Sequence, residues 1–278
     1  MLKYKKVCVG DRMEINLKKL NLSLSEALRI ALPNDILYLD DKTYNEKIVV
    51  YKPNITLIGS ENTKIVFNDC HATKIRHGNG EFYGTTGSAT FRVLEEANGF
   101  KAYNIAFENS YVRDGNPNGQ AVAFKSECSD LHLKDCKFIG HQDTLYIDFG
   151  KNNLIENCYI CGDIDFIFGS ADCTFKNCHI HAINDERSIA YYTAPDTYVS
   201  NEYGFIFENC KFSHERNMEV YLGRPWYPGG AKEAVYPRIS FINSIIPDDV
   251  FPYLKRMHEK DLLKYSFKIE NCYIGGIK

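Results

Sequence analysis

The feature that most constrains this chain is a repeat. Seven segments carry apolar residues, then Asn or Asp, then Cys or Ser, then apolar residues again: IAFENSYV, LHLKDCKFI, NLIENCYI, CTFKNCHI, FIFENCKF, ISFINSII and FKIENCYI. Their anchors, Asn109, Asp135, Asn157, Asn177, Asn209, Asn243 and Asn271, follow one another at spacings of 26, 22, 20, 32, 34 and 28 residues. A short regular unit with occasional longer excursions describes a solenoid coil that bears loops. The segments alternate and are rich in Ile, Phe, Val and Tyr, so they read as strands. Asn tolerates the left-handed conformation of a sharp bend, and its amide can bond an identical amide one coil away. The small Cys or Ser then fits the narrow interior just past the bend. The chain therefore reads as all-β, a parallel β-helix. Leucine-rich repeats have similar periods, but their Leu-x-x-Leu-x-Leu pattern is absent.

The N-terminal part fits as a cap. Ser23 and Glu26 form a capping box ahead of the amphipathic stretch Ala27–Ala31, which Pro33 closes. A short helix there would cover an exposed solenoid end. Strands are expected at Ile36–Leu39, Lys47–Val50 and Ile55–Ile58, a long surface loop over Asn68–Gly87, and a helical or irregular stretch over Asp248–Leu263. No linker interrupts residues 1–278, which read as one domain.

With 44% hydrophobic and 25% charged residues, the chain can bury a substantial core. A net charge of −3 offers no basic footprint for nucleic acid. No apolar run is long enough to span a membrane, and the apolar run after the first lysines stops at Val9. As written the chain reads as cytoplasmic; it reads as secreted if a signal sequence has been removed. Most of the ten cysteines sit in the repeat and read as reduced, buried, small apolar side chains. Cys158 and Cys161 have CxxC spacing, but no second CxxC or histidine pair accompanies them.

The repeat also places two aspartates. Asp143 and Asp165 each lie eight residues after their anchors, so they stack on successive coils at roughly 4.8 Å. Carboxylates that close cannot both ionise comfortably, so one becomes a proton donor and the other a nucleophile or base. The same register also fits an exposed aspartate ladder. Asp185 falls eight residues after Asn177 as well.

At these positions the sequence resembles the pectin methylesterases. Gln120-Ala-Val-Ala123 is similar to the family's QAVAL segment, Gly140–Tyr146 to GxQDTLY, Gly162–Gly169 to GxVDFIFG, and Tyr221–Trp226 to YLGRPW. Weaker echoes are Ser88-Ala-Thr90, Thr193-Ala194 before Gly204-Phe205, and Tyr44-Asn-Glu46. The resemblance implies a right-handed parallel β-helix that hydrolyses methyl esters of galacturonate in pectin or methylated oligogalacturonides. It implies that Asp165 is the nucleophile, that Gln120 and Gln142 donate to the oxyanion, and that Asp143 is general acid and then base. Arg224 would hold Asp165 ionised, and Tyr146, Phe168 and Trp226 would form an aromatic floor for sugar rings, with Thr90 also touching substrate. His141 reads as lining the cleft without a catalytic role. No cofactor or metal is implied, and a monomer is expected.

The sequence departs from that family at three places. Asp163 stands where a small or hydroxyl residue is common. Alternation along a strand would put it on the face of Asp165 and raise the pKa of either catalytic aspartate. Ser170 replaces a usual Asn, a change expected to be mild. The later Gly-Trp segment is missing, with Phe251-Pro-Tyr253 roughly in its place. Polygalacturonases share the fold, but their GHG and RIK signatures are absent, and the Gln-Asp motif does not suit the calcium chemistry of pectate lyases. An esterase or thioesterase acting on another acyl ester, and an inactive glycan-binding β-helix, are the remaining alternatives.

Overall fold

The computed structural model describes residues 8–9, 12–76, 78–113, 115, 118–185, 187–231, 233–252 and 265–275. Three sheets of eleven, nine and seven strands run the length of a right-handed β-helix, and apart from one N-terminal antiparallel pair their strand pairings are parallel. One coil illustrates the rest. Asn153–Glu156 lies in the eleven-strand sheet, Tyr159–Gly162 in the nine-strand sheet and Ile167–Gly169 in the seven-strand sheet. The preceding coil has His132–Lys134, Lys137–Ile139 and Leu145–Ile147 in the same three places.

The Asn and Asp anchors make the sharp corner between the first two sheets. Asp135, Asn157, Asn177, Asn209, Asn243 and Asn271 all have φ between 50° and 54°. Asn177 Nδ2 donates to Asn157 Oδ1 across one coil at 3.3 Å. Asn109 is a correction. It ends the strand Ala106–Asn109 in the nine-strand sheet, and the left-handed corner of that coil is Asn104, φ 54°. The ENS tripeptide imitates the motif, but buried Asn109 uses its Nδ2 to bond the carbonyls of Asp69, Ser88 and Val122.

The residue after the corner explains the choice of Cys or Ser. The Sγ of Cys178, Cys210 and Cys272 and the Oγ of Ser244 each donate to a carbonyl of the previous coil, at 3.4, 3.3, 3.3 and 3.2 Å. The site is narrow and offers a backbone acceptor, so a small side chain with a donor fits it. The nine cysteines from Cys70 to Cys272 are free thiols, Cys158 within this column and Cys161 buried on the adjoining strand. Beside the thiols, aromatic rings stack down the axis. Phe175, Phe207 and Phe241 pair in register with ring centroids 4.5 and 5.3 Å apart. Each buried Phe contributes roughly 1.5–3 kcal/mol by leaving water.

At the N-terminal end the helix Leu24–Ile30 forms with the expected Ser23–Glu26 capping box. Leu24, Ala27 and Leu28 enter the core, while Lys52 Nζ bonds the carbonyls of Leu28, Arg29 and Ala31 at the helix's negative end. The expected early strands are found at Ile36–Tyr38, Ile48–Val50 and Thr56–Ile58. The Asn68–Gly87 stretch is more ordered than a plain loop. It holds a Lys74–Phe82 bridge and runs into a short helix, Gly84–Ser88. Of the expected Asp248–Leu263 stretch, residues 248–252 form a turn and a bridge, and the remainder, with Tyr253, lies outside the described residues. No helix among the described residues is long and apolar enough to cross a membrane.

Candidate active site

The site is built on the outer face of the seven-strand sheet and on the bends that feed it. Lys125, Tyr146, Phe168 and Ala194 occupy one column on four adjacent strands. Tyr146 and Phe168 stack with centroids 4.1 Å apart, and Lys125 Nζ lies 3.9 Å from the Tyr146 ring centroid. Lys125 is almost fully buried, 3.2 Å from both Asp148 and Glu127, and also donates to Thr86 Oγ1 at 2.9 Å. The cation thus fixes the end of the aromatic column.

Asp143 and Asp165 lie in equivalent bends of successive coils, between the nine- and seven-strand sheets. Both are left-handed, with φ of 66° and 53°, and Asp143 N donates to Ile164 O at 3.1 Å. The following strands Leu145–Ile147 and Ile167–Gly169 pair in register, so the expected stacking holds. Asp185 does not continue it. Thr193 pairs with Ile167, which places Tyr191 at the next level, and Asp185 sits in the intervening insertion with Arg187. The tight bend also demands Gly162, where a Cβ would come within 2.3 Å of Phe166 Cβ and 2.6 Å of His141 O.

The two carboxylates differ in their neighbours. Burial, then Asp165, then Asp163 push Asp143 well above the usual carboxylate range, against a small opposing pull from Arg224. Burial also raises Asp165, but there Arg224 opposes it directly. Arg224 Nε donates to Asp165 Oδ1 at 2.8 Å and Nη2 to Oδ2, while its guanidinium carbon lies 4.4 Å from the Tyr191 ring centroid. A bidentate fork of this kind favours the ionised acid. The pair is therefore split into a readily protonated Asp143 and a more readily ionised Asp165.

A cleft of about 380 Å³ gathers Gln120, Gln142, Asp143, Asp165, Arg224, Tyr146, Phe168 and half-exposed Trp226. Eight of the nine residues expected to form the site thus meet in one place. The ninth, Thr90, does not. It is fully buried and donates its hydroxyl to Glu108 O at 3.0 Å, because it leads directly into the strand Phe91–Val93 and points inward. Thr85, Thr86 and Ala194 line the cleft in addition. His141 is another correction: it is not part of the lining and lies beside Asp163, Nδ1 to Oδ2 3.8 Å.

Asp163 is fully buried in the bend, not on a strand, so the alternation argument fails. Its charge nonetheless helps to raise Asp143, after burial and Asp165. Its own pKa is pushed up to about 6, chiefly by burial. Ser170 Oγ donates to Asp148 Oδ1 at 2.7 Å and accepts from Phe149 N at 3.0 Å, a self-contained role behind the cleft.

Fold and cleft together define a parallel β-helix protein with a carboxylate pair set in a groove across one sheet. The pectinesterase family model matches residues 6–256. Pectinesterase 31 of Arabidopsis thaliana is 36% identical over 66% of this chain and 54% of its own length. The probable pectinesterase A of Aspergillus niger is 32% identical over 82% of this chain and 66% of its own. Among solved structures, the pectin methylesterase from Yersinia enterocolitica is 28% identical with a TM-score of 0.75, covering 92% of this chain and 91% of that one. The pectin methylesterase of Erwinia chrysanthemi, at 22% identity, shares the fold with a TM-score of 0.80 over 95% of this chain and 90% of its own. The chain belongs to the pectinesterase family. It spans between 54% and 66% of the length of these two curated relatives.

Proposed function

We propose that this chain, acting as one domain over residues 1–278 and as a monomer, hydrolyses methyl esters of galacturonate in pectin or methylated oligogalacturonides and releases methanol. The observation that carries the reading is the unequal aspartate pair, Asp165 clamped by Arg224 and Asp143 one coil away with a strongly raised pKa. Asp165 adds to the C6 carbonyl carbon of the ester. N–H groups of Gln120 and Gln142 stabilise the developing oxyanion, the kind of electrostatic contribution that usually dominates acyl transfer. The ester C–O bond then breaks as Asp143 protonates the departing methoxide oxygen. Asp143, now a carboxylate, takes a proton from water as the water oxygen attacks the acyl carbon, freeing the galacturonate acid and Asp165. Tyr146, Phe168 and Trp226 supply faces on which sugar rings stack. No step calls for a cofactor.

The test is methanol release from highly methylated pectin and from short methylated oligogalacturonides. Release matched by new carboxylate groups supports the reading. A folded protein that releases methanol from neither substrate contradicts it.

A further inference from the structure

Three successive bends over the cleft carry more charge than the reaction needs. The third bend, between strands His179–Ala182 and Ile189–Pro195, holds Arg187. Its Nη1 donates to Gln142 Oε1 at 3.2 Å, and its Nη2 lies 3.1 Å from Asp163 Oδ2. Its Nε and backbone N donate to the two carboxylate oxygens of Asp185, at 3.2 and 2.8 Å. Asp163 is itself fixed, Oδ1 accepting from Ile164 N at 2.5 Å. The guanidinium is thus hydrogen-bonded to Asp185 and ion-paired, without a hydrogen bond, to Asp163, and its remaining arm reaches a residue of the cleft.

A glutamine amide can turn either end toward a partner, and only its NH2 end can donate to an oxyanion. Arginine has donors and no acceptor, so the only end of Gln142 it can hold is the oxygen. Gln120 has no equivalent constraint: its Oε1 has no hydrogen-bond partner among the described residues. We propose that Arg187 is a positioning residue, anchored by Asp163 and Asp185, which fixes the Gln142 amide so that its NH2 faces the reacting ester. This rests on the reading of the cleft as an esterase site. It also gives Asp163, the departure from the family pattern, a place in the same device, since its charge pairs with the fork that orients Gln142.

The test is steady-state methanol release by the wild type, Arg187→Ala, Gln142→Ala, the double variant and Arg187→Lys, each checked for folding by circular dichroism. Arg187→Ala is expected to lower kcat by about 10- to 100-fold with little change in KM, since an oxyanion donor acts in the transition state. In the Gln142→Ala background, removing Arg187 should cost nothing further, because the residue acts only through that amide. Arg187→Lys keeps a cation beside buried Asp163, and with it the fold, but lacks the planar fork; its kcat should fall too, again only when Gln142 is present. Fully multiplicative losses, an effect confined to KM, or Arg187→Lys at the wild-type kcat would each overturn the proposal. An active wild type with Gln142→Ala unimpaired overturns this inference alone, whereas an inactive wild type overturns the esterase reading beneath it.

Discussion

Arg224 grips Asp165 with two donors on two acceptors, Nε on Oδ1 at 2.8 Å and Nη2 on Oδ2, across 59 residues of chain. The fork sets the rotation of the carboxylate as well as its charge. Arg224→Lys keeps the charge and loses the rotation. We expect kcat to drop about 100-fold, the scale of a misplaced reacting group. The acid limb of the kcat/KM profile should also move to higher pH, because Asp165 attacks in its ionised form in the proposed mechanism and the group opposing its raised pKa is weakened. An unchanged profile would remove Arg224 from this role.

Asp163 acts on the other member of the pair. Its carboxylate helps to raise Asp143, which in the proposed mechanism is protonated when methanol leaves. Asp163→Thr should therefore lower the pKa of Asp143 and move the alkaline limb of the profile to lower pH. The position of the limb, read across a full pH series, is the diagnostic quantity. A profile that falls in height and keeps its limbs in place would refute the coupling.

The pair should also cost stability. Asp143 has a folded pKa far above its unfolded value, so its favourable contribution is complete below about pH 4 and is lost as pH rises through the folded pKa. Replacing it by Asn removes that loss. Asp143→Asn should raise Tm at pH 7, each 1 kcal/mol gained showing as about 2–4 °C in a domain of this size. The gain should vanish near pH 4. Thermal melts at the two pH values decide the matter, and an equal shift at both would contradict the linkage.

Trp226 is half exposed at the mouth of the cleft, its backbone N–H held by Pro195 O at 2.9 Å. A backbone tied to the adjoining strand and a half-exposed indole suit it to a sugar ring. Trp226→Ala should raise KM for methylated oligogalacturonides about 10-fold, the scale of one lost stacking contact, and change kcat far less. A loss in kcat alone would place Trp226 in the chemistry.

Much of this was legible in the sequence because a β-helix writes its period into the chain. The corner Asn or Asp and the small residue behind it recur because each coil presents the same left-handed bend and the same backbone acceptor. The stacking of Asp143 on Asp165 followed from counting, since the two coils between Asp135 and Asn177 carry no insertion before the bend. Counting failed where insertions fell. The coil with Asn104 was read from Asn109, which hid the alignment of Lys125 under Tyr146. Asp185 had the correct offset yet was carried off by the extra residues before Ile189. Thr90 was misplaced by a motif echo, while Thr85 and Thr86 reach the cleft from a stretch with no periodicity at all. Arg187 could not be found by pattern, because its importance lies in contacts to bends 24 and 45 residues away.

The central claim is that Asp165 is the nucleophile. The most direct measurement is the rate of methanol release from highly methylated pectin by Asp165→Asn and by the wild type, with folding verified for both. The account predicts that the wild type releases methanol and that the variant is slower by at least about 10⁴-fold, as for other single nucleophile deletions. A folded variant that keeps more than about a tenth of the wild-type rate would contradict it, since loss of a nucleophile on that scale leaves far less.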